Sequence, residues 1–323
     1  MGLSVAGLHP ASLPDLGPAA IADDSTIGEV AYAVLRKHLG SLLAHEPGTR
    51  LGDDPEELHD MRVATRRLRA ALILFSDVLP QRAQRVREEL RWLAQALGEV
   101  RDLDVQLDQL SEWRHETTKR QRQEDFAPLQ TVLERHRHEA RQRMLGVLDS
   151  DRYRKLLGSI TSMVVRGPVS VIEAGRVPVV EAAPDLLKKR HRRFRKAGDA
   201  ITADSPSEDY HDLRKRGKRL RYALEFLGDV YGKSTKGMIA PLTELQDLLG
   251  EHQDAYVAVA RLRELSATEG SQLPSTTVFS MGEISQRYAQ QTAKLRAKFP
   301  AAYEELEGRR WRQFRRSMKV GRS

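Results

Sequence analysis

The sequence predicts an all-α protein of two four-helix-bundle-like repeats, related by a pseudo-twofold axis and built from long antiparallel helices. Three observations predict this class. Aromatic residues make up only 6% of the chain, so Leu, Ala and Val must fill the interior. Arg, Glu, Gln and Lys dominate the polar residues, and they favour helices as Leu and Ala do. A long segment also recurs at a fixed distance along the chain, as a duplicated unit would.

The composition narrows the function classes. The chain has 323 residues, of which 40% are hydrophobic and 30% charged, as in soluble globular proteins. It contains no cysteine, which excludes disulfides, thiol nucleophiles and cysteine zinc sites. No run approaches the roughly 20 apolar residues that span a bilayer. We therefore expect a cytoplasmic protein without a membrane span.

The helices are predicted from apolar spacing and from helix-breaking residues. Residues 1–25, rich in Pro and Gly, are expected to form a flexible leader, and residues 167–182 a linker between a first repeat (26–166) and a second (183–320). Pro55 suits a first helical position, with Asp53 or Asp54 as the cap. The predicted helices are 27–47, 55–79, 81–110, 122–148 and 151–165 in the first repeat, and 183–202, 207–231, 236–265, 280–299 and 301–318 in the second.

The repeat is visible at the level of single residues. The segment 59–72 recurs as 211–224, an offset of 152 positions, and the same offset maps Leu-Gly-Glu-x-x-Asp at 97–102 onto 249–254. The matches include His, Asp and Gly, which the biased composition does not supply by chance. One offset across this span indicates duplication without insertion or deletion.

Each copy of the repeated helix carries a basic stripe opposite an apolar face. The first stripe is His59, Arg62, Arg66 and Arg69, and the second is His211, Arg214, Lys218 and Arg221. The apolar faces are Met61, Ala64, Leu68, Ala71, Leu72 and Phe75, and Leu213, Leu220, Ala223, Leu224 and Leu227. Like charges at i,i+4 repel, so acid-free stripes in both copies indicate a function. Because these residues face away from the predicted core, alanine at Arg66 and Lys218 should barely change stability.

The stripes suit a phosphate polymer. Guanidinium groups bind phosphate oxygens in pairs, and successive stripe positions rise about 5 Å per helical turn. Net charge is +8. Few aromatic residues lie on the stripe, Tyr222 being the nearest, which weakens a single-stranded nucleic-acid interpretation. Neighbouring basic residues are expected to extend the surface: Arg36, Lys37, Arg101, Lys188, Lys189, Arg192 and Arg193.

The doubled His-Asp-x-Arg-x-x-x-Arg/Lys-Arg-Leu-Arg motif, followed by Leu-Gly-Glu-x-x-Asp, resembles the conserved histidine α-helical domain (CHAD) family over residues 27–318. The resemblance implies two four-helix bundles, polyphosphate binding on a basic surface at their junction, and polyphosphate granules as the location. It carries the binding role onto the eight stripe residues, with support from Lys188, Lys189 and Arg101. The Glu-x-Glu-x-Lys strand of the CYTH domains fused to many relatives is not found. We therefore expect a non-enzymatic targeting or scaffold module that binds inorganic polyphosphate, and other polyanions, without metal or cofactor.

Three other interpretations remain. The same basic face could serve a nucleic-acid-binding or protein-scaffold role. The doublets at 59–60 and 211–212 could belong to a metal-dependent phosphohydrolase, although the other histidines do not recur at the 152 offset. An exposed histidine on a four-helix bundle could instead accept a phosphoryl group.

Overall fold

The computed structural model describes residues 14–22, 24–116, 124–228 and 233–320. Within these ranges the chain is all-α, which confirms the predicted fold class. It has no strand there beyond an isolated bridge between Thr26 and Pro178. The helices are α1 (Ile27–Leu51), α2 (Pro55–Leu74), α3 (Arg82–Glu116), α4 (Ala127–Asp149), α5 (Asp151–Arg166), α6 (Val179–Gly198), α7 (Ser207–Phe226), α8 (Lys233–Glu269), α9 (Ser275–Glu305) and α10 (Trp311–Val320).

Successive helices pack against each other in both parts of the chain. α1 packs on α2, α2 on α3 and α3 on α4, while α6 packs on α7, α7 on α8 and α8 on α9. The two parts meet where α2 contacts α7 and α1 contacts α6. This order brings the two basic helices, α2 and α7, into contact.

The 152-residue offset also relates helix bounds. Shifting α2 by this offset gives 207–226, the bounds of α7, and shifting the start of α1 gives 179, the start of α6. Both predicted apolar faces, Met61 to Phe75 and Leu213 to Leu227, are buried as expected. The pseudo-twofold axis itself stays a prediction.

Local sequence signals explain where several helices begin. Thr26 caps α1, because its Oγ1 accepts from the Glu29 backbone N–H at 3.3 Å while the Glu29 carboxylate accepts from the Thr26 N–H at 2.8 Å. Asp54 caps α2, with Pro55 in the first turn as predicted. Gly52 ends α1 in the left-handed conformation, with φ 80°, which glycine adopts without steric cost.

Several predicted helix bounds are wrong: α1 runs through Pro47 to Leu51, α2 ends at Leu74 rather than at 79, and α9 begins at Ser275 rather than at 280. Two further differences also fall at prolines. α6 begins at Val179, inside the predicted linker, and contains Pro184. Backbone hydrogen bonds to the start of α1, Val179 N–H to Ser25 O at 3.0 Å and Ile27 N–H to Val177 O at 2.9 Å, fix this early start. α9 runs through Pro300 to Glu305 and bends in the π-helical segment 306–310.

Part of the predicted flexible leader is anchored. Leu16 is buried in the core, and the Pro18 carbonyl accepts from Arg36 Nη1 at 3.0 Å. Residues 1–13 and 23 of that leader lie outside the described residues, as do 117–123 and 229–232 within the predicted repeats. Among the described helices, none combines the length and the apolar character needed to cross a bilayer.

Candidate functional site

The two basic stripes converge where α2 packs against α7. Arg66 Nε donates to Tyr222 Oη across this contact at 2.6 Å. The charges of Arg62 and Arg66 on α2 also lower the pKa values of Arg214 and Lys218 on α7, after burial as the main cause. We call Arg62, Arg66, Arg214, Lys218 and Arg221 the junction.

Lys218 is the junction residue whose pKa is lowered by a large amount. Burial, followed by the charges of Arg214, Arg66, Arg62 and Arg221, lowers its pKa from 10.5 to about 7. Its ammonium forms no ion pair with a described residue. An ammonium in this position is stabilised by any anion that enters the junction, because an added negative charge offsets both burial and repulsion.

The second repeated segment explains how two of these arginines are held. A Cβ at Gly98 would lie 3.9 Å from Arg62 Nε, and one at Gly250 would lie 3.7 Å from Arg214 Nε. Arg62 Nη2 then reaches Asp102 Oδ1 at 3.2 Å. Burial lowers the pKa of Arg214, and the charge of Asp254 opposes that lowering. The stripe and the Leu-Gly-Glu-x-x-Asp segment are therefore two sides of one contact, in which the arginine lies over the glycine and the aspartate faces it.

Carboxylates reach the stripes, contrary to the acid-free pattern seen along each helix. Besides Asp102, Glu225 pairs with Arg221 Nε at 3.5 Å and with Arg67 Nη2 at 3.0 Å. The side chains of Arg221 and Arg67 also lie 5.6 and 5.7 Å from the centre of the Tyr222 ring. Glu225 thus partly neutralises the charge of Arg221. The same carboxylate links α7 to α2 through its pair with Arg67.

Sequence reasoning missed basic residues on α3. Burial and the charges of Arg91 and Arg87 lower the pKa of Arg69, so the first stripe continues onto α3. The equivalent positions in the second half are Ile239 and Thr243. The four-residue spacing of Arg87 and Arg91 was the available signal, because it puts both on one face of a helix.

The histidines lie at the outer ends of the stripes. Burial, then Arg101 for His59 and Lys215 for His211, lowers both pKa values below the usual 6.5. In each ring Nδ1 is buried and has no hydrogen bond to a described residue. Arg101, which was expected to extend the basic surface, acts on His59 and has Nη2 3.8 Å from Glu56 Oε1. Protonation of these rings therefore needs a pH below 6.5, or a bound anion.

All eight stripe residues are half-buried rather than fully exposed. This corrects the expectation that they simply face away from the interior. They are buried where α2 meets α7 and where each stripe packs on the next helix of its own half, α3 or α8. Substitutions here can therefore change stability as well as binding.

Arg36 is not part of the site, contrary to prediction. Its Nε and Nη2 donate to the Val164 carbonyl at 3.1 and 2.9 Å, and Nη1 donates to Pro18 O. Every guanidinium nitrogen is thus used to hold the end of α5 and the chain before α1. Arg36 has a structural role.

The other predicted extensions are scattered. Lys188 Nζ lies 3.4 Å from Asp185 Oδ1, and Lys189 lines a groove with Ile27 and Val78, away from the stripes. Arg193 lies near Arg190, as Arg219 does. Lys37 and Arg192 are exposed, and no contact among the described residues joins them to the junction. Across those same residues, no group of three or more His, Asp or Glu is arranged to hold a metal.

Comparison with known proteins gives the family. Residues 33–263 match the CHAD domain model. The chain is 28% identical over 309 residues to two uncharacterized proteins of Mycobacterium tuberculosis, MT2285 of strain CDC 1551 and Rv2226 of strain H37Rv. The alignment covers 92% of this chain but 56% of either relative, so the chain spans about half of their length.

Two solved structures share the fold. The CHAD domain from the plant Ricinus communis matches with TM-score 0.75 and 26% identity, covering 91% of this chain and 96% of that one. PptA from Streptomyces chartreusis matches with TM-score 0.68 and 18% identity, over 87% of this chain and 100% of that one. Family model, fold and doubled motif agree, and the chain belongs to the CHAD domain family.

Proposed function

We propose that the chain binds long-chain inorganic polyphosphate at the α2–α7 junction. The observation that carries the proposal is Lys218, a half-buried lysine surrounded by four arginines from two helices and without an ion-pair partner among the described residues. Such crowding of like charges costs folding free energy, and a polyanion would relieve that cost. The CHAD family is linked to polyphosphate binding in general.

The arrangement favours a linear polymer over a single small anion. Each stripe offers cationic groups about 5 Å apart along its helix, and arginine can donate to two phosphate oxygens at once. Arg87 and Arg91 of α3, which lie near Arg69, extend the first stripe. A chain of phosphates can contact many of these groups together, whereas tripolyphosphate reaches few of them.

The proposed role is that of a binder, not an enzyme. The chain would serve as a cytoplasmic targeting or scaffold module for polyphosphate granules, with other polyanions as weaker ligands. No metal or cofactor enters this proposal. The test is direct: a binder leaves polyphosphate chain length unchanged after incubation with Mg²⁺, and chain shortening would contradict it.

The primary experiment is a titration with long-chain polyphosphate, tripolyphosphate and duplex DNA at 50 and 200 mM salt. We expect long-chain polyphosphate to bind most tightly at equal phosphate concentration, and its affinity to fall steeply with salt as counterions are released. DNA that displaces polyphosphate under these conditions would favour the nucleic-acid interpretation instead.

A matched pair of variants separates site from net charge. Arg66→Ala with Lys218→Ala removes one cation from each helix, and we expect at least about 100-fold weaker binding, since charge-assisted hydrogen bonds contribute about 1.5–3 kcal/mol each. Lys155→Ala with Arg166→Ala removes the same charge from exposed positions of α5. An equal loss of affinity in both variants would mean that binding follows overall charge rather than the junction.

A further inference from the structure

A second group of arginines lies apart from the junction, on α6 and α7. Arg190 of α6 is half-buried, and its Nη2 donates to the Ile73 carbonyl at the end of α2 at 3.2 Å. Arg190 and Arg219 line one narrow cleft, together with Ile73 and Tyr222. Arg193 lies close enough that its charge, like that of Arg219, lowers the pKa of Arg190 further after burial. We call Arg190, Arg193 and Arg219 the α6 cluster.

Different cations surround the α6 cluster and the junction. The cations that act on Lys218 are Arg214, Arg66, Arg62 and Arg221, and none of them is among the groups that act on Arg190. The buried rings of Tyr222 and Phe226, stacked with centroids 6.0 Å apart, both line the cleft of the α6 cluster. Tyr222 Oη accepts from Arg66 of the junction, so this ring stands between the two groups.

The equivalent positions in the first half carry almost no uncompensated charge. At the 152 offset, Arg190 corresponds to His38 and Arg193 to Ser41. Burial, then Arg67 and Lys37, lowers the pKa of His38 to about 4, which makes the ring neutral near pH 7. The first half therefore has one arginine here where the second half has three.

The two halves also differ in the carboxylate that is available to Arg67 and to its equivalent, Arg219. Arg67, the first-half equivalent of Arg219, is paired with Glu225 at 3.0 Å. The position equivalent to Glu225 in the first half is Ile73, which lines the cleft beside Arg219 without a carboxylate. Arg193 and Arg219 are exposed and have no ion pair to a described residue. Asp77 is the described carboxylate whose charge acts on Arg190.

We propose that Arg190, Arg193 and Arg219 form a second anion site, separate from the junction, that binds the phosphate group of a short oligophosphate such as pyrophosphate. Arg190 is fixed by its bond to the Ile73 carbonyl, and the two exposed arginines supply free guanidinium donors around it. Three such donors match the several oxygens and the double charge of a phosphate group. The site does not depend on polyphosphate binding at the junction.

The test is calorimetric titration of the full chain with pyrophosphate at pH 7.5 and low salt. Arg193→Ala with Arg219→Ala, both at exposed positions, should weaken pyrophosphate binding at least about tenfold. Ile73→Glu supplies the carboxylate that Glu225 supplies to Arg67, and should have the same effect. Lys155→Ala with Arg166→Ala, the charge-matched control, should bind as the unmodified chain does.

Two further titrations distinguish the second anion site from the junction. Arg66→Ala with Lys218→Ala should keep the pyrophosphate site. Long-chain polyphosphate should bind the Arg193→Ala, Arg219→Ala variant within about threefold of the unmodified affinity, or roughly 0.6 kcal/mol. Unchanged pyrophosphate binding in that variant would overturn the second site, and so would a large loss of long-chain binding, which would make the α6 cluster part of the junction.

Discussion

The two halves of the molecule carry the same stripe but differ in how its charges are compensated. On α2, Arg66 donates to Tyr222 Oη at 2.6 Å and Arg62 to Asp102 at 3.2 Å. On α7, Lys218 has no ion-pair partner among the described residues, and Arg214 Nε is buried without a hydrogen bond. The two copies of the motif thus keep the same positions, while Lys218 and its equivalent Arg66 have different partners.

The difference has a chemical basis. The first half holds the guanidinium groups of Arg62 and Arg66 by these hydrogen bonds, and arginine stays protonated at any ordinary pH. The second half puts a lysine at the centre of the cations, and lysine can release its proton when no anion is present. We infer that α2 supplies fixed donors and α7 supplies a charge that responds to the ligand.

The largest expected difference between the halves concerns Arg36 and its equivalent, Lys188. Arg36→Ala should destabilise the protein by about 2 kcal/mol, because it leaves the Val164 and Pro18 carbonyls without a donor. Lys188→Ala should change stability by less than about 0.5 kcal/mol, since Lys188 is exposed and 3.4 Å from Asp185. Urea denaturation of both variants measures this, and equal effects would remove the distinction.

The pH dependence of polyphosphate binding tests the difference between Lys218 of α7 and its equivalent, Arg66 of α2. Because the pKa of free Lys218 is about 7 and a bound polyanion raises it, binding takes up a proton above that pH. The affinity for long-chain polyphosphate should therefore fall by up to about tenfold between pH 7 and pH 8. Lys218→Arg should make the affinity independent of pH in this range. A dependence that persists in Lys218→Arg would assign it to another group.

Stability provides a smaller test of the same residue. The folded state lowers the pKa of Lys218, so protonated Lys218 costs stability, fully below about pH 7 and progressively less as pH rises towards 10.5. Lys218→Met should thus stabilise the protein at pH 7 by about 1 kcal/mol while weakening polyphosphate binding. The gain should disappear near pH 10.5. Thermal unfolding at both pH values checks this, and destabilisation at pH 7 would contradict it.

The smallest expected effect comes from the two aspartates. Asp102→Asn removes an acceptor that competes with phosphate for Arg62, and should strengthen polyphosphate binding about threefold, the scale of an exposed ion pair. Asp254→Asn should do less, because no ion pair within 4 Å joins Asp254 to Arg214 among the described residues. Weaker binding in either variant would mean that the aspartate orients its arginine for the ligand.

Much of the architecture was predictable from periodicity. The apolar faces of α2 and α7, the cap at Asp54 and the start of both helices follow from local rules, because burial and capping act within a few residues. The helix bounds predicted at Pro184 and Pro300 are wrong because interactions distant in sequence decide them. Pro184 and Pro300 lie inside helices, since contacts elsewhere in the chain fix α6 at Val179 and carry α9 through to Glu305.

The site was predictable along each helix but not across helices. Helical spacing correctly grouped Arg62 with Arg66, and Arg214 with Lys218. The pair of Glu225 with Arg221, four residues apart on α7, was available from that spacing. The spacing could not reveal that Glu225 also pairs with Arg67 of α2, or that Arg36 donates to carbonyls, because those partners come from packing. The asymmetry between Lys218 and Arg66 arises in the same way, from burial and neighbouring charge.

The most direct test of the account compares two half-site variants in titrations with long-chain polyphosphate. One is Arg62→Ala with Arg66→Ala, which removes two cations from α2, and the other is Arg214→Ala with Lys218→Ala, which removes two from α7. If one polymer is held by both helices, each variant should lose about 100-fold in affinity, roughly 3 kcal/mol. Unmodified affinity in either variant would contradict binding at a shared junction.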